Sequence, residues 1–304
     1  LNSRLTENLS NQLLATYSKL DDLRSSNSSE FPFIDILKGG QAYLSLGYEL
    51  FTWNNAVHND VWNVKDELTY YAGKHKITGG LAYEYKMADN AYMRNGTGYY
   101  RYSSLDDFLN GAAPEIVNLT YGYGGESAPA ARVRSNKISV YGQDEWSVMD
   151  NFKLVYGLRI DNLSFVNSDL ITNKAIYDLD YDGRRIDTGK WPSANWIFSP
   201  RVGFTWDVLG NKSLKVRGGT GLFAGNLPLV FFTNMPSNSG MVQNLVSAVT
   251  RYTNGVVTSR DPRLDKFAGG IVTDVNQMRD MLGAPESITP EQGTVPSSIA
   301  AIAS

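Results

Sequence analysis

The 304-residue sequence contains no cysteine and only two histidines, His58 and His75. Without cysteine, the chain can form no disulfide framework, thiol nucleophile or cysteine-ligated metal site. Two histidines offer little material for histidine-based catalysis or for a zinc site. Both lie at predicted strand ends or turns, where we interpret them as polar surface residues.

An excess of positive charge is also missing, since the formal net charge is −3. Nucleic acid is therefore not an expected partner. No pair of carboxylates is arranged for acid–base chemistry, because Asp106 and Asp107 occupy the first turn of a predicted helix. We accordingly predict no enzymatic activity, no catalytic, cofactor-binding or metal-binding residues and no cofactor.

The sequence also has no run of about 18 apolar residues, which a transmembrane helix needs. It is instead rich in tyrosine, with 18 residues, and in glycine, with 28. That balance favours β-structure with aromatic belts. Strands that cross a membrane alternate apolar and polar residues, so they never produce a long apolar run.

The clearest alternation is a predicted hairpin at Lys137–Ser164, turning at Met149-Asp150-Asn151. Successive side chains of a strand point to opposite sides. One face of its second strand therefore carries Phe152, Leu154, Tyr156, Leu158 and Ile160, opposite Lys153, Gly157, Arg159 and Asp161. Both strands exceed an ordinary five or six residues and reach the roughly 9–11 residues of a membrane-crossing strand.

Similar patterns predict eight strands, at residues 1–5, 9–20, 59–71, 75–87, 134–148, 152–165, 200–208 and 213–223. The strand pattern stops after these, so we predict a long loop region at 224–304. The connections between strands alternate strictly between tight turns and long segments. Bacterial outer-membrane barrels have short periplasmic turns and long extracellular loops, whereas soluble sandwiches have no reason to sort their loops. The predicted fold is an all-β, antiparallel, up-and-down transmembrane β-barrel segment whose long extracellular loops carry short helices.

Three helix starts are predicted within the long connections. A helix at Ser104–Asn110 has Ser103 or Ser104 as its cap and ends before Gly111. Asp261 followed by Pro262 is typical of a helix start. Asp274 with Gln277 resembles a capping box, followed by an apolar stripe of Val275, Met278 and Leu282.

Two loop motifs have both a functional and a plainer interpretation. Asp178, Asp180 and Asp182, followed by Gly183, resemble the start of a calcium loop, but its twelfth position is Gly189 instead of glutamate. A solvated acidic loop is the favoured interpretation, and the sequence leaves calcium binding open. Gly218–Gly221 lacks the lysine of a phosphate loop, so we interpret its glycines as a strand crowded by neighbours or by a plug.

Other residues allow two interpretations each. Six tyrosines of a predicted external loop could stack on sugar or peptide, although packing within the loop or anchoring at the interface explains them equally well. They are Tyr92, Tyr99, Tyr100, Tyr102, Tyr121 and Tyr123. Asp66 and Asp144 interrupt apolar strand faces, which places them near the periplasmic rim or at local bulges. No ligand-binding residue is assigned.

Two stretches resemble TonB-dependent outer-membrane receptors. KISVYGQDEWSVMDNFKLVYGLRID (Lys137–Asp161) is similar to their Y-x-Q-D-x-W strand, tight turn and G-L-R-x-D strand. SPRVGFTWDVLGNKSLKVRGGTGLF (Ser199–Phe223) is similar to their S-P-R-x-G hairpin leading into R-G-G-x-G. Asn54–His75 and Gly98–Gly111 are closer to the Oar-like subgroup. The resemblance covers most of residues 1–230.

Such receptors are plugged barrels of about 22 strands that import scarce nutrients with energy passed through a TonB box. The resemblance implies that residues 1–304 are a partial receptor barrel in the outer membrane of a Gram-negative bacterium. Its partners would be outer-membrane lipid, TonB through a box outside this segment, and an unidentified extracellular ligand such as a peptide, glycan or metal chelate. With about eight strands, no visible plug domain, Leu1 at the start and no closing strand, we expect a fragment.

Two other functions remain open from the sequence. The first alternative is a secreted or surface β-rich carbohydrate-binding or glycoside-hydrolase domain. It would use tryptophan and tyrosine for stacking and carboxylates for hydrolysis. The second is a complete small barrel with an adhesive or structural role.

Overall fold

The computed structural model describes residues 1–166, 169–225, 228–284 and 289–292. In these residues the chain forms fourteen strands, β1–β14 in chain order: Asn2–Arg4, Leu9–Leu23, Phe33–Lys38, Gln41–Leu46, Asn55–Ala72, His75–Tyr92, Tyr99–Tyr102, Ile116–Gly122, Ala131–Met149, Phe152–Phe165, Asn195–Asp207, Lys215–Gly221, Gln243–Thr253 and Val256–Arg260. It also forms four α-helices, α1–α4: Leu105–Leu109, Lys174–Tyr177, Leu229–Asn238 and Val275–Met281. Short 3₁₀ turns lie at Tyr123–Gly125, Pro262–Phe267 and Pro290–Gln292.

Eight strands, most of them long, form one antiparallel sheet in the order β1-β2-β5-β6-β9-β10-β11-β12. Neighbours in this eight-stranded sheet follow one another along the chain, as in an up-and-down meander. Tight turns join β5 to β6 and β9 to β10. In the first of these turns Gly73 takes a φ of +60°, which glycine adopts without steric cost.

The eight strands occupy the regions where the sequence predicts strands, but several are longer at the end facing the long connections. For example, β5 begins at Asn55 instead of 59, and β6 continues to Tyr92 instead of 87. Polar residues such as His58 and Asp89 occupy these extensions and pair directly across the β5–β6 ladder. The ladder therefore continues where apolar–polar alternation, the signal used for prediction, has already ended.

Six shorter strands form a second sheet in the order β14-β13-β8-β7-β3-β4. All of its pairs are antiparallel except β3–β7, which is parallel. The sequence predicts residues 224–304 as a long loop region that carries short helices, and the structure adds the strands β13 and β14 there. Each strand of this sheet comes from a long connection, so the sheet lies at the loop end of the eight-stranded sheet. Strands from connections that are far apart in the sequence pair with each other, and no local sequence pattern predicts such pairing.

The six-stranded sheet has a water-excluded core. Tyr100 and Ile36 are fully buried, and the ring of Tyr100 meets that of Phe267 edge to face at 5.9 Å. Met278 of α4 joins the same cluster. The Tyr100 hydroxyl donates to the carbonyl of Val272 at 3.0 Å, so its polar atom is satisfied inside the core.

The predicted helix starts are confirmed at three positions. The Ser104 hydroxyl accepts from the Asp107 backbone N–H at 3.1 Å and caps α1. Asp274 accepts from the Gln277 N–H at 2.9 Å and caps α4. Asp261 accepts from the Arg263 N–H, but the element that follows is a 3₁₀ turn instead of an α-helix.

The eight-stranded sheet does not close into a barrel within the described residues. Its order ends at β1 on one side and β12 on the other. None of the helices in the described ranges is long and apolar enough to span a membrane.

Candidate functional site

The two faces of the eight-stranded sheet differ sharply in chemistry. One face, here called the apolar face, carries large side chains that are exposed: Leu81 is 60% and Trp62 is 53% exposed. Alternation and cross-strand register place on it Leu13, Tyr17, Val64, Leu68, Tyr70, Ile77, Tyr83, Ile138, Val140, Tyr156, Leu158, Phe198, Val202, Trp206 and Val216. So large an exposed apolar surface marks contact with another protein or with a membrane.

Asp66 and Asp144 interrupt the apolar face, Asp144 near its tight-turn end and Asp66 further in, directly opposite Leu81. Asp66 accepts a hydrogen bond from Asn11 at 2.6 Å. Asp144 accepts from the Tyr156 hydroxyl at 2.8 Å and lies 2.7 Å from Nδ1 of His75. The strand register is continuous through both residues, which removes the bulge interpretation. Each carboxylate instead accepts hydrogen bonds from polar neighbours on the adjacent strands.

The opposite face, here called the polar face, has Tyr141 at its centre. Its hydroxyl donates to Glu67 at 2.6 Å, and Glu67 forms an ion pair with Lys65 at 2.8 Å. The ammonium of Lys65 lies 5.4 Å and the guanidinium of Arg159 lies 5.6 Å from the centre of the Tyr141 ring. Cations at these distances are attracted to the ring face.

A second group of polar residues adjoins Tyr141. Asp161 is only 2% exposed and accepts from Ser139 at 2.6 Å and from Nε of Arg159 at 3.0 Å. The Arg159 guanidinium also donates to the Ser139 hydroxyl at 2.7 Å. Because the buried carboxylate is paired and hydrogen-bonded, its desolvation is offset and Arg159 is held in one orientation.

Glycines make room for this cluster. A Cβ on Gly80 would lie 2.4 Å from the Tyr141 hydroxyl, so a larger residue there would displace the ring. A Cβ on Gly219 of β12 would lie 2.9 Å from the carbonyl of Val202. The interpretation of Gly218–Gly221 as a strand crowded by its neighbours is thus confirmed at Gly219. A cavity of about 370 Å³ opens on the polar face, lined by Lys65, Tyr141, Arg159 and Arg201 among others.

Helix α3 covers the loop end of the polar face. Phe232 packs on Ala88 of β6 and Val133 of β9, and its ring lies 4.7 Å from that of Phe165. Asn90 donates to the Thr233 hydroxyl at 3.0 Å. The polar face is therefore capped at one end by a segment that belongs to a long connection.

Two of the three residues predicted as possible calcium ligands have other partners. Asp178 forms an ion pair with Lys174 at 2.6 Å, and Asp180 accepts from the Gly183 backbone N–H at 2.6 Å. Within the described ranges, no group of three or more histidine or acidic residues is arranged to hold a metal ion. His58 lies at the loop end of the apolar face against Asp21 and Asp60, and is 3.0 Å from the latter.

The six loop tyrosines divide into two groups. Tyr99, Tyr100 and Tyr102 are buried in the six-stranded sheet, whereas Tyr92, Tyr121 and Tyr123 are half-buried. Burial raises the pKa of Tyr99 and of Tyr102 to about 12, and for Tyr99 the hydrogen bond to Asp35 adds to this effect. For the three buried rings, the interpretation as packing within the loop is confirmed.

Comparison with protein families gives a match over nearly the whole chain. Residues 2–298 match the family described as "Outer membrane beta barrel domain". The chain belongs to this family. It is therefore a protein of the Gram-negative outer membrane, and the apolar face has a lipid environment available to it.

Comparison with curated proteins gives no match. Among solved structures, the chain is similar to a copper transporter named OprC, with 13% identity and a TM-score of 0.38. The alignment covers 74% of this chain and 29% of that one. The chain thus spans under a third of the length of that transporter.

Sequence reasoning missed the grouping of Tyr141, Glu67, Lys65 and Arg159 on the polar face. Each lies at a polar position of an alternating strand, so its side of the sheet was readable. The register between β5, β9 and β10 decides which of them touch, and no local pattern encodes it.

Proposed function

We propose that this chain is part of the barrel of a TonB-dependent receptor that imports a scarce nutrient across the outer membrane. One observation carries the proposal: eight antiparallel strands, paired in chain order, expose an apolar face, and all the strands of the six-stranded sheet come from connections at one end. Tight turns at the other end complete the arrangement typical of outer-membrane barrels.

In this proposal the apolar face contacts lipid and the polar face lines the barrel interior. The tight turns are periplasmic, and the six-stranded sheet is extracellular. The stretches that resemble TonB-dependent receptors fall on β9, β10, β11 and β12, which are adjacent in the eight-stranded sheet. The open edges at β1 and β12 need partner strands, because an unpaired edge is costly in lipid.

The proposed mechanism is binding and passage without covalent chemistry. A ligand first meets the extracellular sheet and then moves along the polar face, where charged pairs such as Lys65–Glu67 and Arg159–Asp161 offer hydrogen bonds. Helix α3 covers the outer end of that path, so its displacement is the step that opens the interior. Energy supplied through TonB drives the passage.

Orientation can be tested with single cysteines, because the chain has none of its own. We expect Val256→Cys, in the exposed strand β14, to react with a membrane-impermeant maleimide on intact cells. Leu209→Cys, in a tight turn, is the matched control and should react only after the outer membrane is permeabilised. Labelling of Leu209→Cys alone on intact cells would reverse the orientation.

Energised uptake needs a separate test. A strain lacking this protein is grown on defined peptides, oligosaccharides or iron chelates as limiting nutrients, beside strains lacking TonB and lacking both. We expect a growth defect on one nutrient class that TonB loss reproduces without adding to it. A defect that persists equally with and without TonB, together with passive solute flux in liposomes, would identify a passive channel instead.

A further inference from the structure

The six-stranded sheet contains a second cavity, distinct from the one on the polar face. It has a volume of about 280 Å³ and lies where three chain segments meet, at residues 30–53, 93–127 and 273–279. Ligand pockets run from roughly 300 to 1,000 Å³, so this one suits a compact group about the size of one sugar ring. Convergence of three connections on one cavity is typical of a binding site carried by a rigid scaffold.

The floor of this cavity is polar. Thr97 and Thr120 line it and are only 8% and 5% exposed. Neither side-chain oxygen is among the water-excluded polar atoms that lack a hydrogen-bond partner, so both hydroxyls are open to the cavity. Two hydroxyls that open on one cavity can hydrogen-bond with water or with a ligand that supplies uncharged donors and acceptors.

The walls of the cavity are aromatic. Trp53 contacts Gly96, where a Cβ would come within 2.1 Å of the indole Cδ1, so the indole occupies the space that a side chain at residue 96 would need. Tyr121 is fixed by a hydrogen bond from Asn244 at 2.9 Å, and its ring lies 5.9 Å from the guanidinium of Arg279. A rigid indole offers a flat apolar surface against which the carbon–hydrogen face of a ring can pack.

The rim carries hydrogen-bonding groups of both charges. Among the lining residues Glu30, Glu126 and Asn276 are exposed, and Arg279 is half-buried. Two carboxylates against one guanidinium disfavour an anionic ligand. They accept hydrogen bonds well from neutral hydroxyl groups.

We propose that this cavity binds a sugar unit of a neutral glycan. The flat face of the sugar packs on Trp53, its hydroxyls meet Thr97 and Thr120, and the rim carboxylates accept from outward hydroxyls. This proposal rests on the proposed uptake function and names the class of nutrient. A cationic peptide would bind the carboxylates but would give the two threonine hydroxyls no role. It is therefore the alternative ligand in the test.

The test measures binding by the protein extracted from outer membranes in mild detergent. Isothermal titration calorimetry is run with maltotriose, cellotriose, xylotriose, mannotriose and tri-N-acetylchitotriose, and with trialanine and trilysine. We expect one or more trisaccharides to bind and neither tripeptide to do so. Thr97→Val and Thr120→Val remove one hydroxyl each at nearly constant volume and should weaken trisaccharide binding about tenfold.

Two further variants keep the result interpretable. Thr250→Val is the matched control, since Thr250 is 8% exposed in β13 but does not line the cavity. It should bind as the wild-type protein does. Glu126→Gln keeps an acceptor without charge, so it should change trisaccharide affinity by no more than a few-fold but abolish binding of a cation.

Three results would overturn the proposal. They are failure of every trisaccharide to bind, binding that Thr97→Val and Thr120→Val leave unchanged, and binding of trilysine that Glu126→Gln abolishes. Binding in detergent needs neither TonB nor an energised membrane. A negative result here therefore leaves the uptake test intact, and a TonB-independent phenotype leaves the binding result intact.

Discussion

The eight-stranded and the six-stranded sheets come from one chain but bury different sets of side chains. In the eight-stranded sheet Leu81 is 60% exposed, whereas Asp161 is 2% exposed. In the six-stranded sheet Ile36 and Tyr100 are fully buried, and charged residues lie outside. The first arrangement suits an apolar surrounding with a polar interior, and the second suits water.

This difference shows that different interactions stabilise the two sheets, namely apolar burial in one and backbone hydrogen bonding in the other. Burying an apolar side chain from water contributes roughly 1.5–3 kcal/mol, and the six-stranded sheet gains this at each core position. The eight-stranded sheet leaves its apolar side chains at the surface. Long continuous ladders, such as the eighteen residue pairs between β5 and β6, satisfy its backbone groups instead.

The largest expected effect is a loss of stability that a core substitution causes in the six-stranded sheet alone. Phe267 is 1% exposed and packs against Tyr100, so Phe267→Ala should destabilise the six-stranded sheet by about 3–5 kcal/mol. A fluorophore on Val256→Cys reports its urea midpoint. Phe198→Ala, at a position 56% exposed on the apolar face, is the control and should leave that midpoint unchanged. Equal shifts for both variants would show that the sheets unfold as one unit.

A charge placed on each sheet tests the two surroundings directly. Leu81→Arg, made in an Asp66→Asn background because Asp66 lies directly opposite Leu81, should lower folding stability in lipid vesicles by about 2–4 kcal/mol if the apolar face meets the bilayer midplane. Val256→Arg changes a residue that is 67% exposed on the six-stranded sheet and should stay within about 0.5 kcal/mol of wild type. Urea titration of vesicle-folded protein measures both. A neutral Leu81→Arg would place the apolar face in water.

The sequence predicted the two sheets to very different extents. In the eight-stranded sheet, Val202, Phe204 and Trp206 alternate with Gly203 and Thr205, so the pattern indicated both the strand and its faces. The six-stranded sheet has strands such as β7, with four residues, which are too short to show a period. Its parallel pair β3–β7 joins residues that are over sixty positions apart, which no local pattern reports.

The candidate sites show the same limit. The tyrosines of residues 92–123 were visible as a group, but only the tertiary fold separates buried Tyr100 from half-buried Tyr121. Thr97 and Thr120 carried no signal at all, because threonine is ordinary in strands and turns. Their interest arises from burial beside a cavity that three distant segments create.

The smallest expected effect concerns the pH dependence of the six-stranded sheet. Arg263 donates to Asp261 at 2.6 Å and also to the carbonyls of Ser247 and Leu282, so it joins β13 to the end of α4. Hydrogen bonding from Arg263 holds the pKa of Asp261 below its usual value. The ionised form is therefore favoured by folding, and its contribution is present above the unfolded pKa of about 4.

That contribution should be lost as the pH falls through the depressed pKa of folded Asp261. Asp261→Asn should therefore cost about 1 kcal/mol or less at pH 7, because the pair is partly exposed, and nothing at the acidic limit. The Val256→Cys reporter gives the urea midpoint of both proteins from pH 7 down to pH 3. Since other carboxylates titrate in this range too, the difference between wild type and variant is the quantity that must shrink below pH 4. A difference that stays constant with pH would mean that the Asp261 carboxylate acts through packing and not through its charge.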